Sequence, residues 1–230
     1  MKRSVSIFHW LTVCIILVTA NYSFAGNGLY IEQTKLSGNG EPTGGTGTMF
    51  LDADKFRMEE SGSITIGRLD RGTIWYFDTN DHTYFEMPVM VNDTSGIQAS
   101  DLFVRTGNIR TIGEWKCHEV KLNTAKRSGW FEAIDSLTLW ISDKSYNEAT
   151  TYFASIFQAI GIDKVQLETI QSNIGKGFPI EVEISMLGAS SRLRVTKIEP
   201  RMFSSQQFEP IPGYTKQTMD FSPDKMMKNH

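Results

Sequence analysis

Between residues 29 and 87 the chain offers strand signals one after another, separated by turns. The segments "LYIEQTKL" (29–36), "TMFLDADKFRMEE" (48–60), "SITIGRL" (63–69), "TIWYFD" (73–78) and "HTYFEM" (82–87) are rich in β-branched and aromatic residues. "LDRGT" and "DTNDH" are hairpin-length connections carrying Gly, Asp and Asn, so neighbouring strands return antiparallel. The spacing predicts a meander. The glycine-rich stretch "SGNGEPTGGTGT" (37–48) reads as a flexible hairpin loop. It is not a phosphate loop, because no Gly-Lys-Ser/Thr follows and no helix opens after it.

One strand departs from simple alternation. A half-buried strand shows one apolar and one polar face, yet Ile74, Trp75, Tyr76 and Phe77 are all bulky and apolar or aromatic. Both faces of this strand therefore require cover. The late strands differ. In "PIEVEISML", Ile180, Val182, Ile184 and Met186 alternate with Glu181, Glu183 and Ser185, and "SRLRVTKI" sets Leu193 and Val195 against Arg192, Arg194 and Thr196. Each has one buried and one solvated face. "EWKCHEVKL" (114–122) and "SLTLWISD" (136–143) complete the strand set, while 87–107 reads as a loop with one short helix.

Residues 147–160 change period. Ala149, Tyr152, Phe153, Ile156, Phe157 and Ile160 fall on one face of a helix, and Gly161 stands where a helix stop belongs. A second helix is predicted from a capping box of Asp163 and Gln166, with Leu167, Ile170 and Ile174 as its stripe and Gly175 as its end. A strongly curved antiparallel sheet, mainly β with an α+β character, accommodates all of this if the helix pair packs on its concave face. Strand parity places Trp75 and Phe77 together, and the larger aromatic surface favours that pair as the one meeting the helices.

The N-terminus has the layout of a secretory signal peptide. Lys2 and Arg3 precede an apolar run from Val5 to Ala20, and Ser23-Phe24-Ala25 provides a small-x-small cleavage site. The run would span about 24 Å as a helix, short of the ~30 Å hydrocarbon core of a membrane. The expectation is cleavage after Ala25, leaving 26–230 as a single domain that is periplasmic or secreted. Loss of Lys2 and Arg3 leaves 21 basic residues against 26 acidic ones, a balance that does not point to nucleic acid. Cys117 is then the one remaining cysteine, so stability must come from packing rather than a disulfide.

Catalytic constellations are sparse. His82 lies in "DTNDHT" beside Asp78 and Asp81, but the stretch lacks the glycine and trailing glutamate of a calcium loop and reads as a plain turn. Cys117 and His118 are adjacent on a strand, so they point to opposite faces and cannot form a thiol–imidazole pair. Glu59-Glu60 and Glu181/Glu183 read as solvated strand faces. No nucleophile elbow, zinc motif or nucleotide fingerprint occurs, and the reading is of a non-catalytic protein with no cofactor and no metal.

"GRLDRGTIWYFDTNDHTYFEMP" resembles a pattern of the exported DUF4412 proteins, through Arg68, Asp70, Trp75, Tyr84, Glu86, Met87 and Pro88. "IGEWKCHEVKL" is similar to the family's Gly-x-x-Cys segment at Gly113 and Cys117. "LTLWISDK" resembles its Trp strand at Trp140, and "FEPIPGYTK" its closing Pro-x-Gly-Tyr at Pro210 to Tyr214. That family in turn resembles the periplasmic lipoprotein carriers and lipoprotein-localisation proteins (LolA/LolB-like). The resemblance implies a half-open β-barrel closed by helices, with an apolar cavity for acyl chains. Trp75, Phe77, Phe85, Trp140, Phe153 and Phe157 are the candidate cavity residues, although aromatic residues in this number also fill a core. Two functions remain open. One is a carrier of a lipid or of the acyl chains of a lipoprotein. The other is a domain with a filled core that docks an envelope protein partner.

Overall fold

The structure, a computed structural model, describes residues 28–89, 99–125, 134–146, 164–175, 177–186 and 188–218. Twelve strands are present among them: β1 (Gly28–Leu36), β2 (Pro42–Asp52), β3 (Lys55–Glu60), β4 (Ser63–Arg68), β5 (Thr73–Asp78), β6 (Thr83–Pro88), β7 (Phe103–Ile112), β8 (Trp115–Leu122), β9 (Ile134–Ser145), β10 (Gly177–Met186), β11 (Ala189–Arg201) and β12 (Thr215–Gln217). They form one curled, unclosed sheet in the order β12-β6-β5-β4-β3-β2-β1-β11-β10-β9-β8-β7. All neighbours are antiparallel except β12, which joins β6 in parallel. The pairing of β1 with β11 links the early meander to the late one.

Alternation sets two faces. On the inner face, Leu29 and Ile31 of β1, Met49 and Leu51 of β2, and Phe56 and Met58 of β3 are buried in one cluster with Leu139, Ile180, Val182 and Val195 from the late strands. The short helix α1 (Ala99–Leu102) and α2 (Lys164–Ile174) pack beside each other on this core, through Leu102, Ile170 and Ile174. The predicted stop of α2 is in place: Gly175 has φ 92°, and its N–H donates to the Gln171 carbonyl at 2.9 Å. This is the left-handed helix end that glycine adopts without a Cβ penalty.

Four expectations need correction or relocation. The strand expected over 48–60 is a hairpin, β2 and β3, turning at Ala53 with φ 51°. Alanine is a poor occupant of that conformation, so the turn signal there rested on Asp52 and Asp54 alone, with no glycine or asparagine between them. The glycine-rich loop is shorter than expected, because β2 begins at Pro42 and runs through Gly45 and Gly47. Those glycines serve clearance: a Cβ would come within 3.2 Å of the Lys35 side chain at Gly45 and of Gln33 Nε2 at Gly47. β7 replaces the end of the loop expected over 87–107. As an edge strand, with Gly107 in a bulge at φ 86°, it shows no apolar alternation to betray it. Finally, α2 is the one helix longer than a single turn among the described residues. The other member of the expected pair, 147–160, lies outside them, as do Phe153 and Phe157.

Candidate functional site

The outer face of the early meander is where both-sided strand β5 finds its second cover. Trp75 and Phe77 point away from the main core and form a separate cluster with Ile66 and Phe208, bordered by Phe50, Ile64, Tyr84, Phe203, Ile211 and Tyr214. Their cover is therefore the C-terminal segment 203–217, not a helix pair. The parity expectation holds, but the opposite face meets the core: Ile74 packs against the inner cluster, with Tyr76 on the same side. Phe208 and Phe77 are both fully buried. Phe77 stacks on Tyr84 with centroids 5.3 Å apart, and Tyr214 meets it edge-on at 5.1 Å.

Charge fixes this strap at both ends. Arg68, itself buried, donates from Nε and Nη2 to Asp70 at 2.8 and 2.6 Å and from Nη1 to Glu209. Arg71 adds a second pair to Glu209 at 2.9 Å, and Arg57 donates to the Gln207 carbonyl at 3.3 Å. At the far end Glu86 accepts from Trp75 Nε1 at 3.2 Å and from Lys216 at 3.0 Å. The hydrogen bonds from Lys216 and Trp75 hold its carboxyl below the ordinary value. β12 then joins β6 through the Thr215 N–H to the His82 carbonyl at 2.9 Å. The spaced residues Arg68, Asp70, Trp75, Tyr84, Glu86 and Tyr214 are thus brought together as the seat of the strap. His82 is the turn residue at φ 50°, its ring 5.4 Å from Tyr214.

The inner face ends differently. At β5 and β6 inward Ile74, Tyr76 and Phe85 are half-buried, while Met87 opposite Ile74 is buried and Met49, Phe56 and Met58 further in are closed off. Polar groups lie among them. Gln33, 2% exposed, reaches the Met58 sulfur with its Nε2 at 3.9 Å, while its buried Oε1 has no partner among the described residues. Burial pushes the Tyr76 phenol above its ordinary value, against a lowering hydrogen bond with Ser63. Phe85 is the one candidate cavity residue that the structure describes on this rim. Ile74 and Tyr76 were marked from sequence as needing cover, but neither they nor Gln33 were among the candidate cavity residues. Strand parity was the available signal, since Gln33 follows Leu29 and Ile31 at the same alternation.

Trp140 faces outward from β9, half-buried, with the Arg110 guanidinium carbon 3.9 Å from its ring centroid. Beside it, Glu181 corrects the expectation of a solvated carboxylate: its side chain is 1% exposed. Burial pushes its carboxyl up, but hydrogen bonds from Arg192, Arg194 and Arg110 outweigh this and hold it below the ordinary value. Cys117 and His118 diverge as parity requires. The Cys117 thiol contacts the Trp115 carbonyl at 3.5 Å, and burial pushes its pKa up to about 11. His118 Nε2 meets the Ile174 carbonyl at the end of α2, 2.6 Å away. Among the described residues no group of three potential metal ligands gathers.

No protein-family model matches the chain, and no curated protein matches it. Among solved structures the chain is similar to an uncharacterized conserved protein from Thermus thermophilus, at 10% identity and TM-score 0.48, over 84% of this chain and 91% of that one. It is also similar to PNGF-II, at 10% identity and TM-score 0.45, over 87% of this chain but 32% of that one, so it spans about a third of PNGF-II. A LolA superfamily protein from Nitrosomonas europaea aligns at 9% identity and TM-score 0.35, over 88% and 97% of the two chains.

Proposed function

We propose that this is an exported, non-catalytic binding protein of the cell envelope, holding the acyl chain of a lipid or lipidated partner against the inner face of its sheet. The observation that carries the reading is the unequal treatment of the two faces of β5. Its outer rings Trp75 and Phe77 are buried under the chain's own C-terminal strap, while inward Ile74 and Tyr76, with Phe85 beside them on β6, stay half-buried at the end of an apolar floor. The order of the DUF4412-like motifs and the lipoprotein-carrier resemblance support the same reading. So does the secretory layout of residues 1–25, which delivers the chain to the periplasm or beyond.

The energetics suffice. A buried methylene contributes about 0.8 kcal/mol, and micromolar affinity needs about 8 kcal/mol, so about ten methylenes reach it before ordering costs. Native mass spectrometry of the gently purified protein tests the reading, together with fatty-acid titration of a Phe85→Ala variant. A co-purified lipid, or binding that changes with Phe85, supports it. A bare protein that binds no fatty acid overturns it and leaves a partner-docking domain. One observation favours that second reading: β7 ends the sheet with Val104 and Ile109 exposed at 47% and 61%, an edge that another chain's strand can extend.

A further inference from the structure

The outer face of the late strands carries a cluster that neither the strap nor the inner-face reading uses. Glu181 in β10 is its centre. Arg192 donates to Glu181 Oε1 from Nε at 3.0 Å and from Nη2 at 2.7 Å, and Arg194 Nε donates to Oε2 at 2.7 Å. Arg110 reaches the same carboxylate from edge strand β7, passing over Trp140 of β9. Its Nε is buried without a hydrogen-bond partner among the described residues. Two other carboxylates are near. Glu183, 57% exposed, comes within 3.9 Å of Arg192, and Glu119 is occupied by Thr106, Asn108 and Lys121.

Charge and donor capacity do not balance within this cluster. One buried carboxylate faces three guanidiniums, and solvated Glu183 at the margin offsets one more, leaving an excess positive charge. Each guanidinium carries five N–H donors, of which Glu181 engages one from Arg110, two from Arg192 and one from Arg194. The three side chains keep 33%, 20% and 31% of their surface exposed, so the remaining donors are not all enclosed. A carboxylate that ties three flexible arginines into one array removes the entropy cost of gathering them around a second anion. Guanidinium forks match phosphate oxygens in pairs. We infer that the outer face of β9–β11, through Arg110, Arg192 and Arg194 preorganised by Glu181 beside Trp140, is a binding site for a phosphate-bearing anion, free or as a phospholipid headgroup.

The purified exported protein is titrated at low salt with inorganic phosphate and with glycerol 3-phosphate, and sedimented with phosphatidylcholine vesicles with or without phosphatidylglycerol. Binding of the small phosphates alone assigns a free-phosphate site. Binding confined to the phosphatidylglycerol vesicles assigns a headgroup site. In either case Arg194→Gln weakens binding about tenfold or more, the worth of one charge-assisted hydrogen bond. Lys197→Gln, on the same strand but paired with Glu199 and Glu32, changes it less than about twofold, as for a rim charge. Arg192→Lys keeps the charge while losing the fork, and also weakens binding; it decides the matter if Arg194→Gln does not fold. The inference is overturned if the parent binds neither phosphates nor phosphatidylglycerol, if Arg192→Lys binds like the parent, or if Lys197→Gln weakens binding as much as Arg194→Gln. Phe85→Ala leaves this binding unchanged, which separates its failure from failure of the inner-face reading.

Discussion

Over β4–β6 the outer face of the sheet is closed by aromatic packing, whereas over β9–β11 the same face is closed by charge. The first region buries Ile66, Trp75, Phe77 and Phe208 and keeps its ion pairs at the margins of the strap. The second places a buried carboxylate at the centre and lets three arginines cover it. The difference teaches what each solution depends on. An apolar cover gains from area removed from water and does not require any group to be ionised. A charged cover exists only while the carboxylate is ionised and every partner is present, because an unpaired buried charge is expensive.

The sharpest way to break the comparison is to remove the centre of the apolar cover. Phe208→Ala should cost about 3–5 kcal/mol, since the side chain is fully buried against a rigid strand pair. Urea unfolding checks it. A loss below about 1 kcal/mol would show the strap to be a removable lid rather than core.

How far this contrast was legible in sequence follows from what each side chain depends on. Parity within one strand separated Trp75 and Phe77 from Ile74 and Tyr76 correctly, and it set the buried alternation of β10 and β11. The assignment of Trp75 and Phe77 to a helical cover failed, because ring size says nothing about which cover arrives. The cover itself was hidden: Phe203, Phe208, Ile211 and Tyr214 follow no strand or helix period and sit among Pro210, Pro212 and Gly213. Glu181 was misread for a related reason. Alternation placed it on the outer face, but its burial depends on Arg110, 71 residues earlier in the chain, which no local pattern connects to it.

The charged cover should break under acid and under substitution. Glu181→Gln leaves three guanidiniums around a neutral amide, and should cost about 3 kcal/mol, the lower end for breaking a buried pair because the arginines stay partly solvated. The pH dependence has a definite sign. The folded Glu181 carboxyl titrates below its unfolded value, so its stabilisation is complete above the ordinary glutamate pKa and is lost as pH falls through the folded one. The stability gap between parent and Glu181→Gln should therefore shrink in that acidic window, measured by urea unfolding at stepped pH. A gap independent of pH would mean that packing, not charge, holds this face.

The margins of the strap should matter less than its centre. Glu209→Gln weakens the pairs with Arg68 and Arg71, but Arg68 keeps both hydrogen bonds to Asp70. A loss of about 1 kcal/mol is expected, since Glu209 is partly solvated and Arg71 half-exposed. A loss approaching that of Phe208→Ala would reverse the order proposed for the two kinds of contact.

An effect no larger than that of Glu209→Gln is expected at Cys117. Its thiol is fully buried, close enough to Arg110 to feel that charge, yet burial dominates and carries its pKa up to about 11. The thiolate fraction is then negligible near neutrality, and the site is closed to reagents. Aromatic disulfide reagents at mildly alkaline pH should leave the folded protein unlabelled and label it stoichiometrically in urea. Cys117→Ser should cost about 1 kcal/mol, because the hydroxyl can donate to the Trp115 carbonyl that the thiol already contacts at 3.5 Å. Prompt labelling of the folded protein would show that the charged cover opens readily over this strand. The late outer face would then be the mobile half of the comparison and the aromatic strap the rigid one.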